Sequence, residues 1–199
     1  MRLSNSAQTS QPWRIHELTR DFRLEDVWAL PTPGGPDDFP RLLQLIASMD
    51  PSERSAAALR VLFAVRWKLG KVFGWDDPDG DPSSRRPTLR DRLPADLRDT
   101  RPRPDLASHP FTSLYLTDDE WAAEIVNRTM HGVSHIGWVP DKDGGYRGQM
   151  SVYVRRNGLL GNAYMAAIAP FRHLIVYPLM LREIGREWEA RSGELRASS

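Results

Sequence analysis

Four side chains in the second half of the chain are of types that proton-transfer or coordination chemistry uses: Glu124, His131, His135 and Tyr153. A carboxylate, two imidazoles and a phenol supply a general base and a general acid if a fold brings them into one cavity. His131 and His135 stand four positions apart, a spacing that puts two imidazoles on one helix face and would suit a shared metal ion. On a strand the same spacing spreads them over about 13 Å, beyond the reach of one ion. No His-Glu-x-x-His pattern accompanies them and the chain has no cysteine, so no metal site is expected. The plainer reading of both histidines is a partly exposed position on a sheet face. A Gly-x-Ser-x-Gly elbow, a P-loop and a dinucleotide fingerprint are all missing, and no cofactor is expected.

The elements that must position these residues show in the periodicity. From Met130 to Val139 the chain alternates, with Met130, Ile136 and Trp138 on one side and His131, Val133 and His135 on the other. Tyr146 to Arg156 sets Met150, Val152 and Val154 against Gln149, Ser151, Tyr153 and Arg155. The turn PDKDGG between them predicts a hairpin with one buried face. Phe111 to Leu116 reads as a short strand. Residues 117–129, TDDEWAAEIVNRT, are in conflict: Thr117 and Glu120 form a capping box before an Ala/Glu-rich body, which favours helix. A strand there would extend the antiparallel unit.

Before the hairpin, Trp13 to Leu30 mixes β-formers with charges, and a helix should begin near Pro40 with Leu42, Leu43, Leu45 and Ile46 inward. A second helix should start at the Asp50 cap and carry Ala58, Leu62, Val65, Leu69 and Val72 on one face. The proline-rich stretch 76–106 reads as a surface excursion, with a short helix around Leu89 to Leu97. After Asn157-Gly158 a long apolar helix follows, its stripe formed by Tyr164, Ile168, Phe171 and Ile175 and then by Leu181, Ile184 and Trp188. Pro178 should interrupt it.

At 199 residues, 40% hydrophobic and with seven tryptophans, the chain fits one domain over 13–191, with 1–12 a disordered lead-in and 192–199 a flexible tail. Basic and acidic residues number 27 and 26, which leaves no single-sign field for nucleic acid. The first twelve residues lack the apolar core of a secretory signal, so a cytoplasmic location is the default. Leu159 to Leu181 is apolar enough to test as a membrane span, but Arg172 and His173 near its centre argue for a helix covering a core instead.

The run EWAAEIVNRTMHGVSHIGWV, followed by GGYRGQMSVYVRRNGLLGNAYMAAIAPFRHLIVYPLMLREI, resembles the bacterial family known as domain of unknown function 2867. Its most characteristic part is Asn157-Gly158-Leu159-Leu160-Gly161 leading into Pro170-Phe171-Arg172-His173-Leu174-Ile175. The resemblance implies a START/Bet v 1-like (SRPBCC) α+β fold: a curved antiparallel sheet gripping a long C-terminal helix around an apolar cavity. It also implies strand at 117–129. The function expected is the binding of a small apolar or lipid-like molecule in a cavity of roughly 300–1,000 Å³. Its walls would be Met130, Ile136, Trp138, Met150, Val152, Val154, Tyr164 and Ile168. The alternative is an enzyme of cyclase or isomerase type in the same cavity, using Glu124, His131, His135 and Tyr153.

Overall fold

The computed structural model describes residues 1–49, 88–98, 111–126 and 130–197. Five strands form one curved, unclosed antiparallel sheet in the order β1-β5-β4-β3-β2. They are β1 Arg23–Ala29, β2 Thr112–Leu116, β3 Glu120–Val126, β4 Met130–Pro140 and β5 Tyr146–Arg156. With the long C-terminal helix, this is the α+β helix-grip arrangement the resemblance implies. The helix expected from Asp50 onward and the flanks of the excursion lie outside the described residues.

Glu120–Val126 is strand despite its capping box. The box chemistry is used, since Thr117 Oγ1 accepts from the Glu120 N–H at 3.1 Å, but it closes the turn between β2 and β3. Tertiary burial overrides helix propensity because both faces of β3 are covered: Trp121 and Ala123 on one side, Glu120, Ala122 and Glu124 on the other.

One face of the sheet packs on the helices. Helix α3, Phe39–Ser48, has Pro40 in its first turn and buries Phe39, Leu42, Leu43 and Leu45. These meet Trp28, Trp121, Ile136, Trp138 and Met150 from the sheet and Tyr177, Ile184 and Trp188 from the C-terminal helix.

That helix is built in three pieces: α5 Gly158–Phe171, a π turn Arg172–Val176, and α6 Tyr177–Ala197. Pro178 has no N–H to give, and its ring would crowd a carbonyl one turn back, so the backbone widens ahead of it. One added residue shifts the phase of everything after it by about 100°. The inward stripe is therefore Met165, Ile168 and Arg172, continuing to Tyr177, Ile184 and Trp188. Phe171 and Ile175, expected inward, are only half-buried, and Leu174 is 76% exposed. The stretch Gly161–Gly193 is long and apolar enough to cross a membrane by length and composition.

The opposite face is also covered, which corrects two expectations. Residues 1–12 are an ordered strap. Leu3 N–H bonds to the Val27 carbonyl at 2.8 Å along the β1 edge, and Gln8, in the short helix α1 Ser6–Thr9, is completely buried. Trp13, followed by α2 Ile15–Leu18, packs over Gly137, where a Cβ would stand 2.5 Å from the indole. Within the excursion, a 3₁₀ turn Leu89–Arg92 and the helix α4 Ala95–Arg98 are the expected short helical piece. They are no surface feature, because Leu89, Leu93 and Leu97 are buried against Leu114, Ala122 and Val133. Ser192, expected to open a flexible tail, bonds from its hydroxyl to the Trp188 carbonyl at 2.7 Å, and the helix continues to Ala197.

The phase shift sets an expected order of stabilities. Ile168→Ala should cost about 2–5 kcal/mol, while Phe171→Ala, at a half-exposed site, should cost clearly less. Urea unfolding of the two variants checks this, and the reverse order would contradict the helix phase.

Candidate functional site

The strand alternation divides the candidate residues between the two faces. Glu124, His131, His135 and Tyr153 all lie on the face beneath the N-terminal strap, and both histidines are almost wholly buried, not partly exposed. Met130, Ile136, Trp138, Met150, Val152, Val154 and Ile168 lie on the helix face. The side chain of Tyr164 is outside the described part of its helix. The titratable candidates and the expected cavity are thus on opposite sides of the sheet.

Each histidine has its own carboxylate. His135 Nε2 stands 2.8 Å from Glu120 Oε2, and His131 Nε2 stands 2.7 Å from Glu124 Oε2. Glu120 was not foreseen as a partner, although its offsets of two from Ala122 and four from Glu124 put it on their face. A β-bulge between Ser113 and Tyr115 turns the tyrosine to that face, where its hydroxyl donates to Glu120 at 2.9 Å. Arg14 N–H adds a third donor at 2.8 Å. Burial pushes the Glu120 carboxyl up, but the hydrogen bonds from His135, Arg14 and Tyr115 outweigh it and hold the group below the ordinary range. Glu124 is likewise lowered against its burial, by His131, the Leu89 N–H and the Thr88 hydroxyl.

Burial lowers the His135 pKa, and Glu120 only partly offsets this. With the Nε2–H given to Glu120, Nδ1 accepts from Gln8 Nε2 at 3.1 Å. Gln8 also donates to the Tyr153 hydroxyl at 3.1 Å and accepts from Gln149 Nε2 at 2.9 Å. Burial pushes the Tyr153 hydroxyl up to about 12. Gln8 thus ties the strap to His135, Tyr153 and Gln149, while His131 Nδ1 is buried without a hydrogen-bond partner. Among the described residues, no three His, Cys, Asp or Glu side chains group so as to hold a metal ion.

The helix face is different. Sheet register lines up side chains in rows across the strands. Trp121, Ile136, Met150 and Trp28 form one row. The next consists of short side chains, Ala123, Ser134 and Val152, and ends at Asp26. The third runs Ile125, Gly132, Val154, beside which Met130 projects and on which Met165 and Ile168 of α5 pack. The middle row, termed the trough below, spans four strands, about 14 Å. Ser134, Val152, Ile125 and Met130 along it are only half-buried. Ile136 and Met150 lie in the row beside it, Val152 within it, and Val154, Met130 and Ile168 pack together on its other side. Trp138, expected among the cavity walls, packs instead on Phe39 and Trp188 and donates to the Gly35 carbonyl at 3.0 Å, which makes it core.

Asp26, at the trough's end, escaped the sequence reading. A β-bulge between Leu24 and Asp26 flips the parity of β1 there and aims the carboxylate at the helix. Arg172 donates to its Oδ2 at 2.9 Å and the Tyr177 hydroxyl donates at 3.0 Å, with that hydroxyl pushed up by burial. Arg172 and His173 therefore both lie beside the Asp26 carboxylate. The available signal was a charge set among apolar residues in Asp26-Val27-Trp28-Ala29.

The model of the family described as protein of unknown function (DUF2867) matches residues 18–179. No curated protein and no solved structure matches the chain.

The protonation of His135 gives a pH test. Its folded-state value lies below the ordinary 6.5, so the unfolded chain takes up the proton first. Stability is full above that pH and falls as the pH drops from about 6.5 toward the folded value. The thermal midpoint should therefore decline between about pH 7 and pH 5, and His135→Gln should flatten that decline. An unchanged slope in the variant would assign the proton to another group.

Proposed function

The chain belongs to this family of unknown function, DUF2867, and from the shape of its helix face we propose that it binds a small apolar or lipid-like molecule between the sheet and the C-terminal helix. The observation that carries the reading is the row Ala123, Ser134, Val152, whose short side chains lie beside the large row Trp121, Ile136, Met150 and stay only half-buried at Ser134 and Val152. Concave apolar surface with few polar groups is what small-molecule sites are made of. The START/Bet v 1-like kinship that the sequence resembles agrees with this geometry and belongs to the same proposal. The Arg172–Asp26 ion pair ties the apolar helix to β1, which supports reading it as a grip helix and not a span.

The enzyme alternative loses its residues. On the sheet's other face, His135 and Tyr153 bond to Gln8 of the strap, and the Glu124–His131 pair is met by Thr88, Leu89 and Phe22.

A polarity-sensitive naphthalene fluorophore should bind with a defined stoichiometry. Val152→Trp, which fills the trough, should abolish binding with the unfolding transition intact. Unchanged fluorophore binding by a folded Val152→Trp protein would place the site elsewhere or remove it.

A further inference from the structure

The trough ends in a corner made by β1 and the π turn, and the polar atoms there are incompletely partnered. Asp26 Oδ2 is taken by Arg172 and Tyr177. Its Oδ1 is buried, lies 3.3 Å from His173 Nε2 and 3.5 Å from an Arg2 nitrogen, and receives a hydrogen bond from neither. Trp28, two residues along on the same face, has a buried indole N–H with no acceptor, and Arg172 Nε is in the same condition. The rings of Tyr177 and His173 stand 4.8 and 6.3 Å from the Trp28 ring, so these groups share one corner.

Buried donors and acceptors left unmet cost stability, and a native fold that keeps several together needs something to meet them. Two backbone irregularities build this corner: the bulge that aims Asp26 inward, and the π turn that brings Arg172 and Tyr177 onto one side of the helix. Both kinds of irregularity gather at functional sites.

We propose that the Asp26–Trp28 corner binds a hydroxyl group, the polar end of the molecule lying in the trough; this rests on the ligand-binding reading above. The chemistry selects the group. Asp26 Oδ1 has Arg2 and His173 as ion-pair neighbours but accepts no hydrogen bond, so it can take a donor, which a carboxylate lacks. Trp28 Nε1 and Arg172 Nε need acceptors, which an ammonium lacks. A hydroxyl donates to the first and accepts from the second at once, and carries no charge into a buried site. The ligand class is therefore an apolar alcohol, its hydrocarbon along Val152, Ser134 and Ala123.

Isothermal titration calorimetry with 1-decanol and decyl methyl ether tests this, because the ether keeps the chain and loses the donor. Wild type should bind both, and the alcohol about tenfold tighter. In Trp28→Phe and in Asp26→Asn that preference should shrink several-fold while ether binding holds. Equal affinity of wild type for the two probes overturns the hydroxyl site and leaves the trough reading standing; binding of neither overturns both. If Asp26→Asn does not fold, Trp28→Phe decides alone, and an undiminished preference there overturns the assignment.

Discussion

The ladder between β4 and β5 runs without a bulge from Met130 opposite Arg156 to Pro140 opposite Tyr146. Because side chains in a strand alternate with a period of two, this pairing assigns every residue of both strands to a face at once. A slip of β5 by one position would bring Gln149 and Tyr153 under the helices and turn Met150 and Val154 toward the strap. The remaining strands attach to this pair in the same antiparallel sense, so the two faces of the whole sheet inherit its parity.

The two faces have been closed by different means. Beneath the N-terminal strap the sheet carries carboxylates, imidazoles and a phenol, groups that are costly to bury alone. They are tolerated because the strap and the Leu89–Arg92 turn bring their own donors: Gln8, the Arg14 N–H, the Leu89 N–H and the Thr88 hydroxyl. Breaking one link leaves its partner buried and unmet, so the strap and the network stand or fall together. The helix face is closed by apolar packing around Trp28, Trp138 and Trp188, with Asp26 as the polar tie between sheet and helix. Met165 and Ile168 of α5 bury Val154, while Ser134 and Val152 beside it stay half-buried.

Three local departures from regular geometry do what regular strands and helices cannot. The bulge in β2 turns Tyr115 onto Glu120, and the bulge in β1 turns Asp26 toward the helix. The π turn changes the phase of the C-terminal helix so that Met165 and Ile168 before it, and Tyr177, Ile184 and Trp188 after it, all reach the sheet. A straight α-helix through the same residues would have turned one group or the other to solvent.

Much of the architecture was legible in the chain itself. Clean alternation in 130–139 and 146–156 specified the hairpin and both faces, Pro40 marked the start of α3, and Pro178 marked the break in the last helix. These signals are local: they depend on a residue's own backbone and on neighbours a few positions away. What covers each face is not local. Gln8 meets His135 from 127 positions away and Tyr177 meets Asp26 from 151, and no periodicity records such pairings. The strap looked disordered because its residues are polar, and it is ordered because the sheet offers those polar groups buried partners. Asp26 escaped notice, since a bulge changes parity without leaving a mark in the hydrophobic pattern. Residue types and spacing determined which side chains share a face; only the tertiary structure decided which face would be sealed and which would keep a trough, because that depends on volumes and hydrogen bonds supplied by distant segments.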